Sequence, residues 1–206
     1  MREGDYRAGN PAHNGSSRLV VVSGCSGGGK STLLAEMARR GYPTQPEPGR
    51  LIVKEQLYID GPGLPWTDIP RFLDQCVERS MLSFNSAQPT DKPVLFDRSL
   101  IDAVAGMDRL GLPVPPSTRR AVERYRYGPT VFLVPPWEAL FATDEERRHG
   151  FADAVIEYED LLRVYPAYGY RVEIIPQGTI AARADVLEQR LTALLGEAGA
   201  GAAALS

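Results

Sequence analysis

The chain has 206 residues, of which 43% are hydrophobic and 24% are charged, and its formal net charge is −3. These values are typical of one globular domain with a sizeable core, and the slight acidic excess argues against nucleic-acid binding. No apolar run is long enough to span a membrane, no apolar leader opens the sequence, and two cysteines are too few for a disulfide framework. We therefore expect a cytoplasmic protein with no membrane and no nucleic-acid partner.

Short apolar runs alternate with longer amphipathic segments, and this alternation predicts the secondary structure. Runs rich in β-branched and aromatic residues are typical of strands buried on both faces of a parallel sheet, whereas helices carry apolar residues every three or four positions. In chain order, we predict a strand at 18–23, a helix at 30–40, a weaker strand at 42–45, a helix at 68–85, strands at 93–97 and 130–135, a helix at 151–165, a strand at 170–176 and a helix at about 180–195.

Alternating strands and helices predict an α/β fold in which helices cover both faces of a central parallel sheet of five strands. The polar residues 1–17 predict a flexible N-terminal arm, and the low-complexity residues 196–206 predict a flexible tail. Residues 18–195 contain no internal repeat and no clear linker. We therefore expect them to form a single domain.

The segment GCSGGGKS, residues 24–31, fits the pattern G-x-x-x-x-G-K-[ST] between the first predicted strand and the first predicted helix. Glycines allow successive backbone N–H groups to converge on phosphate oxygens, and the helix that follows adds its N-terminal dipole. The lysine can reach the β- and γ-phosphates, and the serine hydroxyl can ligate Mg²⁺. The pattern predicts a P-loop NTPase fold, a three-layer sandwich, which holds ATP and Mg²⁺ on Gly24, Cys25, Ser26, Gly27, Gly28, Gly29, Lys30, Ser31 and Thr32.

Cys25 lies inside this loop and has two interpretations. A helix N-terminus lowers the pKa of a nearby thiol, which would favour a redox or nucleophilic role. The simpler interpretation is that the loop tolerates a small side chain at this position.

A P-loop enzyme also needs an acidic side chain at the end of a neighbouring strand, which holds the Mg²⁺ shell or orients the nucleophile. The run PVLFD ends at Asp97, so this residue is the candidate, with Ser31 as the second metal ligand. Asp60, at the end of LYID, is a poorer candidate. Alternatively, Asp97 is the N-cap of a helix, because Ser99 and Leu100 open a helical stretch.

The segment FDRS, residues 96–99, resembles the Asp/Glu-Arg-Ser motif of P-loop nucleoside and nucleotide kinases. In those kinases the acidic residue lies near Mg²⁺, and the arginine lies near the phosphates or the acceptor. The resemblance implies these roles for Asp97 and Arg98.

The segment PTQPEPGRLI, residues 43–52, resembles the Glu-x-x-Arg segment of nicotinamide riboside kinase-like proteins and of small AAA-like P-loop ATPases. The resemblance implies that Glu47 and Arg50 face the acceptor. It also implies that Glu47 could accept the proton of an attacking hydroxyl, as carboxylates at this location do in deoxynucleoside kinases. Alternatively, both residues are surface charges in a proline-rich turn. Glu47 and Asp97 remain alternative candidates for the general base.

The segment FATDEERRHG, residues 141–150, follows the strand predicted at 130–135, where kinases of this kind carry a lid. The resemblance implies a lid over about 136–150. Its residues Arg147 and Arg148 could neutralise the charge that develops on the transferred phosphoryl group. The alternative is an exposed helix start with local Glu–Arg pairs.

Together these features predict an ATP-dependent phosphotransferase that acts on a hydroxyl or phosphate of a small molecule, such as a nucleoside, a vitamin or a hydroxylated antibiotic. We expect this acceptor to lie against the helix at 68–85 and to contact Glu47, Arg50 and Arg98. Trp66 is either part of a mobile cover over it or an anchoring core residue. We expect a monomer or a homodimer. The alternatives are a regulatory P-loop ATPase or nucleotide switch that acts through a protein partner, and a module that binds a phosphorylated ligand without turnover.

Overall fold

The computed structural model describes residues 7–88, 90–138 and 150–203, with side chains up to residue 196. Within these ranges, strands and helices alternate. In chain order they are β1 (Leu19–Gly24), α1 (Lys30–Arg39), β2 (Thr44–Gln45), α2 (Pro48–Tyr58), α3 (Ile69–Ser86), β3 (Val94–Asp97), α4 (Leu100–Arg109), α5 (Pro116–Arg124), β4 (Thr130–Val134), α6 (Phe151–Ala167), β5 (Arg171–Ile174) and α7 (Ile180–Ala203).

The strands of this described part form one parallel sheet in the order β2-β3-β1-β4-β5. The central strand β1 pairs with β3 on one side and with β4 on the other, so Val22 lies beside both Asp97 and Phe132. Parallel strands end at the same edge of a sheet, and ligands of such folds bind at this edge. Here the edge brings the end of β1 at Gly24 close to the end of β3 at Asp97.

Helices cover both faces of the sheet, because successive side chains of a strand point to opposite faces. Leu19 and Val21 of β1 belong to a core cluster that includes residues of α3, α4 and α6. Val20 and Val22 belong to a second cluster, with residues of α1 and α7. The three-layer α/β sandwich with a five-stranded parallel sheet is thus confirmed. No helix in the described part of the chain is long and apolar enough to cross a bilayer.

Helices α2 and α5 are additional to those that the sequence predicts, whereas α4 corresponds to the helical stretch expected after Ser99. The helix α2 begins with Pro48 at its first turn, where proline is favoured because the missing N–H would have no helical partner. Residues 48–52 are therefore helical and do not form the alternative proline-rich turn. Most of the predicted lid, residues 139–149, lies outside the described residues, and so do both of its arginines, Arg147 and Arg148.

The described residues of both segments that we expect to be flexible, 7–17 and 196–203, take part in the fold. The Nδ1 atom of the buried His13 lies 3.1 Å from the carbonyl oxygen of Phe84, and the amide of Gly9 donates to Asn85 Oδ1 at 2.9 Å. The second half of the expected flexible arm, 1–17, therefore packs on the end of α3. At the other end, α7 continues to Ala203, beyond the start of the expected flexible tail at residue 196.

Phe84 connects the N-terminal segment to the core, and we expect its removal to be costly. Its ring is fully buried and makes edge contacts with the rings of His13, Tyr125 and Tyr127 at centroid distances of 5.7, 5.3 and 5.2 Å. The variant Phe84→Ala should lose about 3–5 kcal/mol of unfolding free energy, measured by urea denaturation. Leu82→Ala, on an exposed part of the same helix, is the control and should change it by less than about 0.5 kcal/mol. Equal losses in the two variants would contradict this account of the core.

Candidate functional site

The glycine-rich loop between β1 and α1 has a backbone that other residues would not adopt. Gly24, Gly27 and Gly29 have φ angles of 137°, 81° and 73°, in the region that favours glycine. A Cβ atom on Gly24 would lie 2.3 Å from the carbonyl oxygen of Val134, and one on Gly28 would lie 2.7 Å from that of Pro135. The loop thus packs its backbone directly on the end of β4.

The loop encloses a cavity of about 170 Å³. The helix α1 begins at Lys30 with Gly29 as its N-cap, and no side chain caps this end. The first amides of α1 are therefore available to an anion, as at other helix N-termini. The cavity is lined by Cys25, Ser26, Gly27, Gly29, Lys30, Ser31, Thr32, Glu47 and Arg98.

A buried ion pair lies at the centre of the site. The Nζ atom of Lys30 donates to Asp97 Oδ1 and lies 3.7 Å from Glu47 Oε2. Burial raises the pKa of Asp97 and the carboxylate of Glu47 raises it further, whereas the ammonium group of Lys30 lowers it. Two carboxylates thus share one buried lysine at the edge of the sheet.

Asp97 is not a helix cap, which was the alternative to its functional interpretation. The N-cap of α4 is Ser99, whose hydroxyl accepts from the amide of Ile101, while the carboxylate of Asp102 accepts from the amide of Ser99 at 2.8 Å. The poorer candidate, Asp60, is exposed just after α2 and does not follow a strand. Asp97 therefore keeps its carboxylate for Lys30 and the cavity.

Arg98 is held in an unusual conformation by several carboxylates. Its φ angle is 72°, which costs a non-glycine residue of order 1–3 kcal/mol. Its Nη1 atom lies 2.7 Å from Glu157 Oε1 and 3.4 Å from Asp102 Oδ1, and its Nε atom lies 3.1 Å from Glu47 Oε1. Burial alone would lower its pKa, but these three carboxylates and Asp97 together raise it well above the ordinary value. Arg98 is thus a fixed positive charge at the cavity wall.

Two acidic residues that the sequence does not point to hold Arg98 in place. Asp102 accepts hydrogen bonds from Ser23 and from Tyr165, the latter at 2.6 Å, and so connects β1, α4 and α6. Glu157 of α6 contacts Arg98 and also accepts from the amide of Ser26 in the phosphate loop at 3.4 Å. Glu157 therefore places a carboxylate against a loop amide, a position suited to an anion.

A second cavity, of about 320 Å³, adjoins the first, because Ser31 and Glu47 line both. Arg50 lines this second cavity, whereas Arg98 lines the first, so the structure does not bring these two expected acceptor contacts into one space. The full lining is Ser31, Leu34, Ala35, Ala38, Thr44, Gln45, Pro46, Glu47, Arg50, Leu51, Lys54 and Asp97.

From the sequence we expect the acceptor to lie against α3, with Trp66 as part of its cover or as a core residue. No residue of α3 lines either of these two cavities, and Trp66, which is 37% exposed, lines neither of them. The helices α2 and α3 instead pack closely, since a Cβ atom on Gly49 would lie 3.1 Å from the ring of Phe72. The open space beside Glu47 lies on the side of α1.

The oxygen atoms at the junction of the two cavities suit a hard cation. The hydroxyl of Ser31 and the carboxylate of Asp97 both line the second cavity. Among the described residues, no group of three or more His, Cys, Asp or Glu residues could hold a metal ion. Mg²⁺ in general takes only one or two carboxylates from a protein and completes its shell with phosphates and water.

The glycine loop after a central parallel strand, the lysine at the start of the next helix and the acidic end of the adjacent strand define a P-loop nucleotide-binding protein. The profile of a family described as AAA domain matches residues 19–183, so the chain belongs to this family. No curated protein matches the sequence significantly.

Two solved structures share the fold. Deoxyadenosine kinase from M. mycoides with the products dCMP and a flexible dCDP bound is 16% identical, with a TM-score of 0.60 over 85% of this chain and 100% of that chain. The same kinase with bound dATP is also 16% identical, with a TM-score of 0.55 over 84% of this chain and 98% of that chain. These similarities confirm that the chain has the P-loop kinase fold.

A third residue that the sequence does not point to, Arg183 of α7, supports the backbone of the phosphate loop at Gly28. It is only 3% exposed, and its Nη2 atom donates to the carbonyl oxygen of Gly28 at 2.9 Å. Because C=O and N–H point in opposite directions across a trans peptide bond, this contact turns the amide of Gly29 towards the cavity. Within the described side chains Arg183 forms no ion pair, and burial lowers its pKa.

We therefore expect Arg183→Gln to weaken nucleotide binding more than folding. The affinity for ADP, measured by calorimetry, should fall about tenfold, since a hydrogen bond from a charged group contributes about 1.5 kcal/mol. Arg190→Gln removes a half-buried arginine of the same helix, which contacts Glu173 of β5, and is the control. A large loss of unfolding free energy in Arg183→Gln with unchanged ADP affinity would show that Arg183 only stabilises the fold.

Cys25 has the properties of a packing residue. Its side chain is 1% exposed, and burial together with the charge of Glu157 raises its pKa to about 11. We expect iodoacetamide at pH 8 to alkylate Cys25 about a hundredfold more slowly than an ordinary exposed thiol, because so little thiolate is present. Peptide mapping by mass spectrometry measures the rate. Rapid modification at neutral pH would restore the redox or nucleophilic interpretation.

Proposed function

We propose that the protein is an ATP-dependent phosphotransferase that moves the γ-phosphoryl group to a hydroxyl of a small molecule. The observation that carries the proposal is the placement of Glu47, which lines both the phosphate-loop cavity and the adjoining second cavity. A carboxylate at this junction can take a proton from an acceptor in one cavity while a donor occupies the other. The kinase fold shared with deoxyadenosine kinase supports the same class of reaction.

The residues of the loop fit a nucleotide triphosphate. The glycine backbone leaves no room for a Cβ atom at Gly24 or Gly28, and the uncapped N-terminus of α1 faces the cavity. Lys30 and Arg98 supply positive charge, and Ser31 and Asp97 are the residues that would hold Mg²⁺. When bound, ATP and Mg²⁺ supply the transferable phosphoryl group and neutralise part of its charge.

Glu47 is the better candidate for the general base. Asp97 is buried and bonded to Lys30, and its carboxylate is needed beside the metal position. The side chain of Glu47 is 21% exposed and makes no capping hydrogen bond to α2, although it is the N-cap residue. It therefore lies at the mouth of the second cavity, with its Oε1 beside Arg98 and its Oε2 beside Lys30, where an acceptor hydroxyl can approach it.

The transfer then follows from the positions of these groups. The acceptor oxygen forms a bond to the γ-phosphorus, the bond from that phosphorus to the bridging oxygen breaks, and its electron pair leaves with ADP. The hydroxyl proton passes to Glu47. Lys30 and Arg98 stabilise the negative charge on the transferred phosphoryl group. The arginines Arg147 and Arg148 of the proposed lid would add to this stabilisation.

The test is transfer of phosphate from Mg·ATP to a panel of nucleosides, vitamins, sugars and hydroxylated antibiotics, followed by mass spectrometry. Lys30→Ala should abolish transfer. Glu47→Gln should lower kcat by at least about a hundredfold without changing the Mg²⁺ dependence, as expected for loss of a base. Asp97→Asn should instead raise the Mg²⁺ concentration needed for half-maximal activity.

Glu78→Gln, an exposed residue of α3, is the matched control and should leave transfer unchanged. If no member of the panel is phosphorylated while ATP is hydrolysed without any acceptor, the kinase proposal is wrong. That outcome would favour a regulatory ATPase that acts through a protein partner.

A further inference from the structure

We propose that the second cavity is the acceptor site and that its acceptor carries an anionic group, a carboxylate or a phosphate, held by Arg50 and Lys54. This inference rests on the proposed function, since it names the class of molecule that receives the phosphoryl group. Lys54 has no role in the sequence motifs, and the structure brings it into the cavity beside Arg50.

The cavity is a groove between two helices. One wall is a stripe of α1, at positions 31, 34, 35 and 38, and the opposite wall is a stripe of α2 at 50, 51 and 54 that continues from its N-cap at 47. Residues three and four positions apart lie on the same face of a helix, so each stripe faces the groove over two turns. The floor is formed by residues 44–46 around β2. The small side chains of Ala35 and Ala38 leave the space of about 320 Å³.

The charges along the groove are separated by sign. Glu47 and Asp97 lie at the end that joins the phosphate cavity, where Ser31 also lies. Arg50 and Lys54 follow Glu47 along α2, three and seven residues further, which places them about 5 and 10 Å further along the helix axis. An acceptor with a hydroxyl at one end and an anionic group at the other would fit in one orientation only.

This polarity selects the class of ligand. A carboxylate or phosphate at the acidic end would be repelled by Glu47 and Asp97, whereas at the other end it meets two cations one helical turn apart. The side chains of Leu34, Ala35 and Leu51 provide apolar contacts for the part of the ligand between the two ends. In this orientation the hydroxyl lies at Glu47, the residue that would accept its proton.

The location can be tested without turnover. Alanine methyl signals of the protein saturated with Mg·ADP report ligand entry by NMR, with Ala35 and Ala38 in the groove and the buried Ala103 of α4 as an internal control. The probes are matched pairs: pantothenate and pantothenol, glycerate and glycerol, and nucleoside 3′-monophosphates and nucleosides. The first two pairs test a carboxylate, and the third tests a phosphate.

We expect at least one anionic member to shift the signals of Ala35 and Ala38, and its neutral counterpart to do so at least tenfold more weakly. Lys54→Gln should weaken this binding about five- to tenfold and Lys54→Glu should abolish it, while ADP binding is unchanged. Arg120→Gln, which removes an exposed cation from α5, is the control for net charge. In turnover, Lys54→Gln should raise KM for the anionic acceptor and leave kcat and the KM for ATP unchanged.

Equal shifts from the neutral members, or no shift of Ala35 and Ala38 with any probe, would overturn the inference. Transfer to neutral acceptors that is insensitive to Lys54→Gln would overturn it as well, and would leave the phosphotransferase proposal intact. A different outcome would be binding of an anionic probe in the groove without transfer of phosphate to any acceptor. It would support the anionic groove and contradict the phosphotransferase.

Discussion

The buried ion pair between Lys30 and Asp97 is the interaction on which the rest of the site depends. The two residues come from elements far apart in the chain, the start of α1 and the end of β3, and only the pairing of β1 with β3 places them together. A buried charge is costly without a partner, so each residue requires the other in the absence of a ligand. When a nucleotide binds, one of its phosphate oxygens would replace the carboxylate of Asp97 as the partner of Lys30.

The charges around this pair alternate in sign and connect the helices α2, α4 and α6. Arg98 bridges Glu47, Glu157 and Asp102, which belong to the N-cap of α2, to α6 and to α4. These contacts compensate for the unfavourable φ angle of Arg98. Glu157 also contacts the loop amide of Ser26 and belongs to the helix that follows residues 139–149. Glu157 thus connects α6 directly to the phosphate loop.

Much of the fold could be predicted because its signals are local. The apolar strands, the glycine loop and the capped amphipathic helices are each encoded within about twenty residues. The helix α2 escaped prediction because its prolines also suit a turn, and only packing on α3 distinguishes the two. Asp102, Glu157 and Arg183 could not be recognised, since their partners lie 79, 131 and 155 residues away. The sequence could not show that Arg50 and Arg98 line different cavities either. The cavity that Arg50 lines depends on where α2 packs in the fold.

The most direct test is a crystal structure of the protein with Mg·ADP. We expect the Nζ atom of Lys30 to leave Asp97 for a phosphate oxygen, Asp97 to turn to the metal, and Glu157 to leave the amide of Ser26. The groove beside Glu47 should remain open in the same structure. A nucleotide bound elsewhere, with Lys30 still paired to Asp97 and Glu157 still on the loop, would contradict the assignment of this edge of the sheet as the site of phosphoryl transfer.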